Sequence, residues 1–192
     1  LLDLLVGESA GGVGKVRLYL NVGTEQAPEF NDFTYLTSSQ DTDLTVIASG
    51  CQGAIVRMVD LTGDGEAELL VGLTDGTVRM FTASAEGHWQ DAGLLNCSVG
   101  GNNDIIYVGS RAAIEFTDFN GDGRTDMLVG TGDGNLVLYL DTATSGATVF
   151  DAGQYLHDSA GRIRVGCARK FCNQFSWFSL ATTEPTSSSL AK

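Results

Sequence analysis

Apolar and polar residues alternate along this chain in short runs, with the spacing of a strand rather than of a helix. The runs KVRLYL at 15–20, TVRMF at 77–81 and NLVLYL at 135–140 show the period of two that is typical of a half-buried strand. TDG at 74–76 and GDG at 132–134 precede two of these runs and are typical of hairpin turns. The pattern therefore predicts an all-β protein of short antiparallel strands.

Self-similar segments recur along the chain. DLLVG at 3–7, ELLVG at 68–72 and DMLVG at 126–130 begin 65 and 58 residues apart, at positions 3, 68 and 126. A further strand pattern repeats as FNDFTYL from Phe30, WQDAGLL from Trp89 and FDAGQYL from Phe150, and another as AIVRMV at 54–59 and AAIEFT at 112–117. Four short strands in each repeat predict the blades of a β-propeller, whose sheets stack face to face.

The repeats predict about three blades of four antiparallel strands, over residues 1–37, 54–96 and 112–158. The first blade lacks its first strand, and we expect a partial strand at 162–166 to supply it, with residues 162–165 beside residues 4–7. Since propellers use about four to eight blades, the segment is expected to belong to a larger propeller, to an assembly or to an open stack. We assign residues 1–172 to the propeller segment and 173–192 to a Ser/Thr-rich tail or linker.

Charge and composition exclude several classes of partner. Lys and Arg total 11 against 24 Asp and Glu, a net charge of −13, which argues against nucleic acid and anionic membranes. The apolar runs are far shorter than the ~20 residues of a membrane helix, so we expect no membrane insertion. The chain starts at Leu1 and shows no signal peptide, which is typical of a mature product or of a piece of something longer.

Two acidic loops, DLTGDGEAE at 60–68 and DFNGDGRTD at 118–126, lie at the same place in two repeats. Calcium takes six to eight oxygen ligands, and each loop offers side chains at its positions 1, 3, 5 and 9 and a carbonyl at 7. The alternative is that Asp, Asn and Gly make good turns without a metal. An EF-hand is disfavoured because its last acid stands at position 12, between helices. The predicted ligands are Asp60, Thr62, Asp64, Glu66 and Glu68 in the first loop, and Asp118, Asn120, Asp122, Arg124 and Asp126 in the second.

These loops, with the LVG sequences that follow them, resemble the FG-GAP/VCBS repeats of integrin α-subunit propellers and of many secreted or surface proteins. The resemblance covers about residues 1–166. It implies calcium in the loops between the first two strands, on the face opposite the usual ligand face, and no catalysis. Thr62 and Glu68 depart from the usual residues, which implies that the first loop binds calcium more weakly than the second.

Four cysteines are compatible with an oxidising compartment. Cys51 and Cys97 fall in inter-blade loops on one face, where a bridge is conceivable, and Cys167 and Cys172 could close a local loop. Three connectivities are possible, and buried free thiols are the alternative. Asn96, in the sequence NCS, is a candidate glycosylation site if the protein is secreted by a eukaryote.

No set of residues typical of a catalytic site stands out. His88 and His157 lie in turn-like segments, and GESAG at 7–11 is explained by the repeat as a hairpin turn rather than as a nucleophile elbow. Trp89 and Trp177 are interpreted as packing residues rather than as a sugar platform. The loops after strands two and four share one face, which is therefore the expected ligand face. Its candidate residues are Asp41, Asp43, Asp75, Asn102, Asn103, Asp104, Tyr107, Arg111 and Asp133.

The sequence thus predicts a non-enzymatic, calcium-stabilised extracellular propeller segment for adhesion, ligand binding or assembly. Its partners are expected to be proteins, glycans or neighbouring copies. The alternatives are a carbohydrate-binding lectin propeller and a structural subunit of an extracellular filament or sheath. A further alternative is an enzyme that carries this module, in which case the catalytic residues lie outside these 192.

Overall fold

In a computed structural model of the chain, residues 1–10, 13–46, 54–165 and 178–180 are described. Every regular element in them is a strand, which confirms the predicted all-β class. None of their elements is a helix that could cross a membrane. The strands are β1 Leu4–Ala10, β2 Val13–Asn21, β3 Phe30–Tyr35, β4 Thr45–Val46, β5 Ile55–Val59, β6 Glu68–Gly72, β7 Val78–Ala83, β8 Trp89–Leu94, β9 Asn96–Val99, β10 Asn102–Ile105, β11 Ala113–Thr117, β12 Asp126–Gly130, β13 Leu136–Tyr139, β14 Gln154–Tyr155, β15 His157–Asp158, β16 Gly161–Arg162 and β17 Phe178–Leu180.

Three antiparallel sheets form the body of the protein, and none of them is closed. Sheet 1 has the order β17-β1-β2-β3, with β4 also pairing with β2. Sheet 2 has the order β5-β6-β7-β8, and sheet 3 has the order β11-β12-β13-β14. The three copies of the LVG sequence therefore lie in equivalent strands, β1, β6 and β12, as the repeat predicts.

The connections that leave the three sheets share one hydrogen-bond pattern. After sheet 2, the Ile106 N–H donates to the Leu95 carbonyl, and β9 and β10 form a hairpin between these two residues. After sheet 3, the Ile163 N–H donates to the Leu156 carbonyl across the β15–β16 hairpin, and the Leu44–Leu36 bond after sheet 1 is equivalent. Each connection thus folds back on the sheet that it leaves.

The strand that completes sheet 1 differs from the predicted one. Gly161–Arg162 pairs with His157–Asp158, and Arg164 bridges to Asn135, so the 162–165 segment stays on sheet 3. The strand beside Leu4–Val6 is β17, in the antiparallel register Leu4–Leu180. The prediction that residues 162–165 cover this edge is therefore wrong, and the predicted 173–192 linker contains a paired strand. The 162–165 segment repeats the connection 95–108, whose hydrogen bonds hold it to its own sheet.

Two hydrophobic cores lie on the two sides of sheet 2. Core 1 joins sheets 1 and 2, and core 2 joins sheets 2 and 3. In β6, Leu69 and Val71 face core 1 while Leu70 faces core 2, and all five residues of the strand are buried. Since successive side chains of a strand point to opposite faces, this unbroken apolar run is what a sheet covered on both faces requires.

Glycines at the end of the LVG sequences allow the sheets to approach closely. A Cβ added to Gly7 would lie 1.8 Å from the Ala54 carbonyl oxygen, and one added to Gly72 would lie 2.0 Å from that of Ala112. Both alanines lie one residue before the first strand of the following sheet. Sheets 1 and 2, and sheets 2 and 3, therefore meet backbone to backbone at equivalent positions.

Candidate metal loops in sheets 2 and 3

Each acidic loop spans the turn between the first and second strands of its sheet. In sheet 2 the ladder pairs Val59 with Glu68, and in sheet 3 it pairs Thr117 with Asp126, so both loops are held at their two ends. The glycines at loop position 6, Gly65 and Gly123, have φ values of 89° and 84°. A side chain is strained in this left-handed region, so both loops need a glycine at this position.

The acids of the first loop accept hydrogen bonds from the loop's own backbone. Asp60 accepts from the N–H groups of Gly63 (2.7 Å) and Gly65 (2.9 Å). Glu68 accepts from the Leu61 N–H at 2.7 Å, and its other oxygen accepts from the Thr62 hydroxyl at 3.1 Å. These bonds fix the direction of both carboxylates, and the Glu68 oxygen that accepts from Leu61 also accepts from the Thr62 N–H at 3.2 Å.

One oxygen from each of Asp60, Asp64 and Glu68 lies within 4.8 Å of the other two. Glu68 is 3% exposed, Asp60 is half-buried and Asp64 is exposed, so the group opens from the sheet toward solvent. In the described part of the chain, no other group of three Asp, Glu, His or Cys side chains converges in this way. These three acids are thus the described residues best placed to hold a cation together.

The second loop has the same backbone course. Asp118 accepts from the N–H groups of Gly121 (2.7 Å) and Gly123 (2.8 Å), as Asp60 does in the first loop. Asp126 is fully buried and accepts from the N–H groups of Phe119 (2.9 Å) and Asp141 (2.8 Å). Its carboxylate thus joins the loop to the far end of β13, which makes it a structural anchor.

A feature of the second loop that sequence analysis missed is the Arg124 side chain. Its guanidinium pairs with Asp122 at 2.5 Å and donates from Nε to the Asp141 carbonyl at 3.0 Å. The pKa of Asp122 is below its usual value, mainly because Asn120 donates a hydrogen bond to it; partial desolvation opposes this effect, while the Arg124 N–H and charge add to it. The sequence signal for this ion pair is the basic residue at loop position 7, a position from which only the carbonyl is expected to bind the cation.

The oxygen donors of the first loop fit a hard cation such as calcium. Three carboxylates converge there, with the Thr62 hydroxyl on Glu68 and the Glu66 carbonyl in the same loop. In the second loop, a guanidinium already neutralises Asp122, and a cation would have to displace it. The geometry therefore favours the first loop, the reverse of the order that the resemblance implies.

The residues predicted for the ligand face divide into separate groups. Tyr107 bridges to Thr77, and the Arg111 N–H donates to the Thr74 carbonyl at 3.0 Å, so both lie beside the turn that holds Asp75. The Gly132 N–H donates to the Ser110 carbonyl, which places the Asp133 turn next to the same segment. By contrast, Asn102, Asn103 and Asp104 lie on β10 of the hairpin. Asp41 and Asp43 lie in the turn after sheet 1, where Asp43 pairs with Lys15 at 2.7 Å.

A cleft of about 350 Å³ between sheets 2 and 3 was not predicted. The cleft is lined by the apolar side chains of Leu61, Met80, Leu94 and Phe150 and by the amides of Asn96 and Asn103, and none of the described residues that line it is charged. The sequence contains only an indirect signal for this cleft, because the cleft forms where residues 147–150 pack beside the β9–β10 connection.

The sequon and Cys97 meet at this cleft. Asn96 is exposed, as an acceptor for glycosylation must be, whereas Cys97 is a buried free thiol whose pKa is raised by burial and by Asp104 and Asp151. Cys51, Cys167 and Cys172 lie outside the described residues. Since Cys97 takes part in no disulfide, the conceivable bridge to Cys51 is not formed, whereas the local loop between Cys167 and Cys172 stays a prediction.

No protein-family model matches the chain, and no curated protein or solved structure matches it. The proposed function therefore rests on the residues of this chain and their geometry.

Proposed function

We propose that this chain is a calcium-stabilised β-propeller segment that serves adhesion, ligand binding or assembly outside the cell and carries out no catalysis. Three consecutive antiparallel sheets with equivalent strand orders support the propeller arrangement. Their first two strands carry the contacts between sheets, since β5 contacts both β1 and β11. Propeller blades stack in this manner around a common centre.

The observation that carries the calcium proposal is the convergence of Asp60, Asp64 and Glu68 within 4.8 Å. Three carboxylates so close repel one another, and a divalent cation removes that repulsion. The ion would hold the loop between β5 and β6 closed, while the β5–β6 ladder holds its ends. Calcium would therefore stabilise sheet 2, which contributes to both cores.

Calorimetric titration of calcium into the wild-type chain and into Asp64→Ala and Asp122→Ala variants tests this proposal. Extracellular modules bind calcium at about 10⁻⁴ to 10⁻³ M, so we expect heat and a thermal shift at several millimolar calcium. Asp64→Ala should remove the site in the first loop. Asp122→Ala should leave that site intact, which makes it the matched control from the equivalent loop. A wild-type chain without heat or thermal shift would contradict the proposal.

The neutral cleft favours a second candidate function, the binding of a carbohydrate. Neutral sugars present both hydroxyl groups and apolar faces, and the cleft offers the amides of Asn96 and Asn103 together with apolar side chains. A glycan array probed with the whole chain tests this function. Binding that is lost in Asn103→Leu but retained in Asp64→Ala would support the cleft, and an array without binding would contradict a lectin.

A further inference from the structure

We propose that Arg111, Arg162 and Arg164, beside the hairpin turn 131–135 of sheet 3, form a basic strip that binds an anionic polysaccharide. This inference names a ligand class for the ligand binding proposed above and rests on that function. The strip shares no residue with the converging acids of the first loop or with the neutral cleft. Its guanidinium groups would hold the carboxylate or sulfate groups of the sugar units, because arginine binds oxyanions through paired hydrogen bonds.

The three arginines are distinguished from the other basic residues by their lack of an acidic partner. Most of the 11 Lys and Arg residues lie in the described part of the chain. Those that pair with a carboxylate are Lys15, Arg17, Arg57, Arg79 and Arg124. The other three, which make up the basic strip, form no ion pair with a described residue. Unpaired cations on a chain of net charge −13 attract an anionic partner to one place.

The remaining residues of the chain offer little charge to neutralise the basic strip. Outside the described ranges, the sequence has one acidic side chain, Glu184, against the basic residues Arg169, Lys170 and Lys192. Residues 159–183 contain no Asp or Glu, although the whole chain contains 24 of them. A single carboxylate side chain does not neutralise three arginines. The positive charge of the strip is therefore a property of the sequence around it.

Arg162 and Arg164 lie two residues apart on an extended segment, so their side chains share one side of it. Both are exposed, whereas Ile163 between them is half-buried on the other side. Their Cα atoms are about 6.6 Å apart, since a strand rises roughly 3.3 Å per residue. The preceding acid, Asp158, directs its carboxylate to the Ala160 N–H at 2.8 Å. The segment thus presents two cations in a row to a linear anionic chain.

The Tyr155 ring orients Arg162 and adds an apolar surface. The guanidinium carbon lies 3.8 Å from the ring centroid, which is a cation–π contact, and Tyr155 is 40% exposed. Stacking covers one face of the guanidinium and leaves the N–H groups at its edge for an anion. An acidic sugar presents an apolar ring face and an anionic group in one unit, whereas an Asp or Glu side chain presents only the anion. The pair therefore favours a sugar over an acidic peptide.

Arg111 reaches the same hairpin turn from the connection between sheets 2 and 3. Its Cδ would lie 3.2 Å from a Cβ added to Gly132, and Arg164 bridges to Asn135 at the other end of the turn. Arg111 has a φ of 50°, a left-handed conformation that is uncommon for a residue with a side chain. The corresponding residue of the preceding repeat is Gly53. The backbone favours glycine here, so the arginine contributes through its side chain.

The surroundings of the basic strip favour a narrow polymer of moderate charge. A nucleic acid duplex carries one charge about every 1.7 Å, and a folded protein partner covers about 800 Å². Either partner, if acidic, would bring many negative charges against a surface whose net charge is −13. A polysaccharide with one anionic group per sugar unit can follow three arginines and contact few of the surrounding acids.

Isothermal titration calorimetry on the whole chain tests the proposal, with polygalacturonate as the carboxylate probe and dextran sulfate as the sulfate probe. Neutral dextran controls for the sugar without the charge, and polyglutamate for the charge without the sugar. No calcium is added, because calcium would bridge acids of the protein and of the probe. We expect one of the two anionic polysaccharides or both to bind, with an affinity that falls as salt is added. The probe that binds identifies the anion.

Substitutions locate the site. Arg162→Ala and Arg164→Ala should each raise the dissociation constant by about three-fold to ten-fold. Arg79→Ala is the matched control, because it removes the same charge from an arginine that is paired with Asp91, and it should change the dissociation constant by less than about two-fold. Arg162→Lys should restore only part of the affinity, since lysine lacks the planar guanidinium. Arg111→Gly should weaken binding and retain stability, because glycine adopts the left-handed conformation freely.

A wild-type chain that binds neither anionic polysaccharide would overturn the proposal. Binding that Arg79→Ala weakens as much as Arg164→Ala does would also overturn it, since net charge rather than a site would then explain the affinity. Equal affinity for polyglutamate, with the same loss in the arginine variants, would assign the strip to an acidic polypeptide instead of a sugar. Calcium titration of the same samples reports separately on the proposed function, because the first loop contains none of these arginines.

Discussion

At Gly72, the lack of a side chain lets sheet 2 approach the backbone of sheet 3. The space is already filled by the Ala112 carbonyl, and even one carbon atom added to Gly72 would overlap it. At the equivalent residue of sheet 3, Gly130, an added carbon would meet no atom of the described residues closer than 3.5 Å, so we expect the same substitution to have different consequences at two copies of one motif. Sequence alone shows three equal glycines; only the structure distinguishes them.

We expect Gly72→Ala to destabilise the fold by about 1–3 kcal/mol, the usual cost of inserting a carbon into a packed core. Gly130→Ala, the matched control, should change the free energy of unfolding by less than about 0.5 kcal/mol. Urea unfolding at low protein concentration measures both. Equal losses of stability in the two variants would contradict the assignment of Gly72, and not Gly130, to a contact between sheets.

Tyr139 makes the stability of the fold depend on pH in the alkaline range. Burial raises the pKa of this residue to about 12 from 10.0, and Cys97, Tyr155 and Asp151 act in the same direction. The folded state therefore keeps the proton when the unfolded state has lost it. Stability from this group is fully present below pH 10 and is lost as the pH rises from 10 through about 12.

Replacing Tyr139 by Phe should flatten this pH dependence by roughly 2 kcal/mol between pH 8 and pH 12, since one pKa unit corresponds to about 1.4 kcal/mol. The measurement is the free energy of unfolding in urea as a function of pH. Tyr155→Phe, at a position that is 40% exposed, is the control and should retain the wild-type slope. A Tyr139→Phe variant with the wild-type slope would contradict the role of this phenol.

At the scale of the strand, the local pattern predicts most of the fold. The LVG strands and the runs that follow them lie in equivalent sheet positions because their hydrophobic alternation and turns are encoded within a few residues. The completing strand of sheet 1 could not be predicted in the same way, because Phe178–Leu180 is short and its partner lies near the start of the chain. The 162–165 segment resembles a strand more closely, but its hydrogen bonds hold it to sheet 3.

Removal of β17 should weaken sheet 1 specifically. We expect a chain that ends at residue 177 to lose stability and to exchange the amide protons of Leu4–Val6 faster, because β1 then becomes an unprotected edge strand. A chain that ends at residue 180 keeps the strand and is the matched control. Hydrogen exchange followed by mass spectrometry distinguishes them, and identical protection of Leu4–Val6 in both chains would contradict the pairing.

At the scale of the whole molecule, the repeats predict the three larger sheets and the place of both acidic loops. They could not show which loop assembles three carboxylates, because that depends on where Arg124 directs its charge. They also could not show the division of the expected ligand face, since the β9–β10 hairpin carries Asn102–Asp104 away from the turns near Arg111. Side-chain direction and hairpin docking are tertiary properties that a periodic pattern does not contain.

Because β1 pairs with β17, sheet 1 cannot be completed during translation until β17 has been synthesised. Leu4 and Leu180 are 176 residues apart (180 − 4), and translation at about 5–20 residues per second separates their synthesis by roughly 9–35 seconds. Sheets 2 and 3 lie wholly between these two residues and can form during that interval, when β1 still has one open edge. The nascent chain therefore presents the strand Leu4–Ala10 to any chaperone, or to any neighbouring nascent chain on the same messenger, until Phe178–Leu180 has been synthesised.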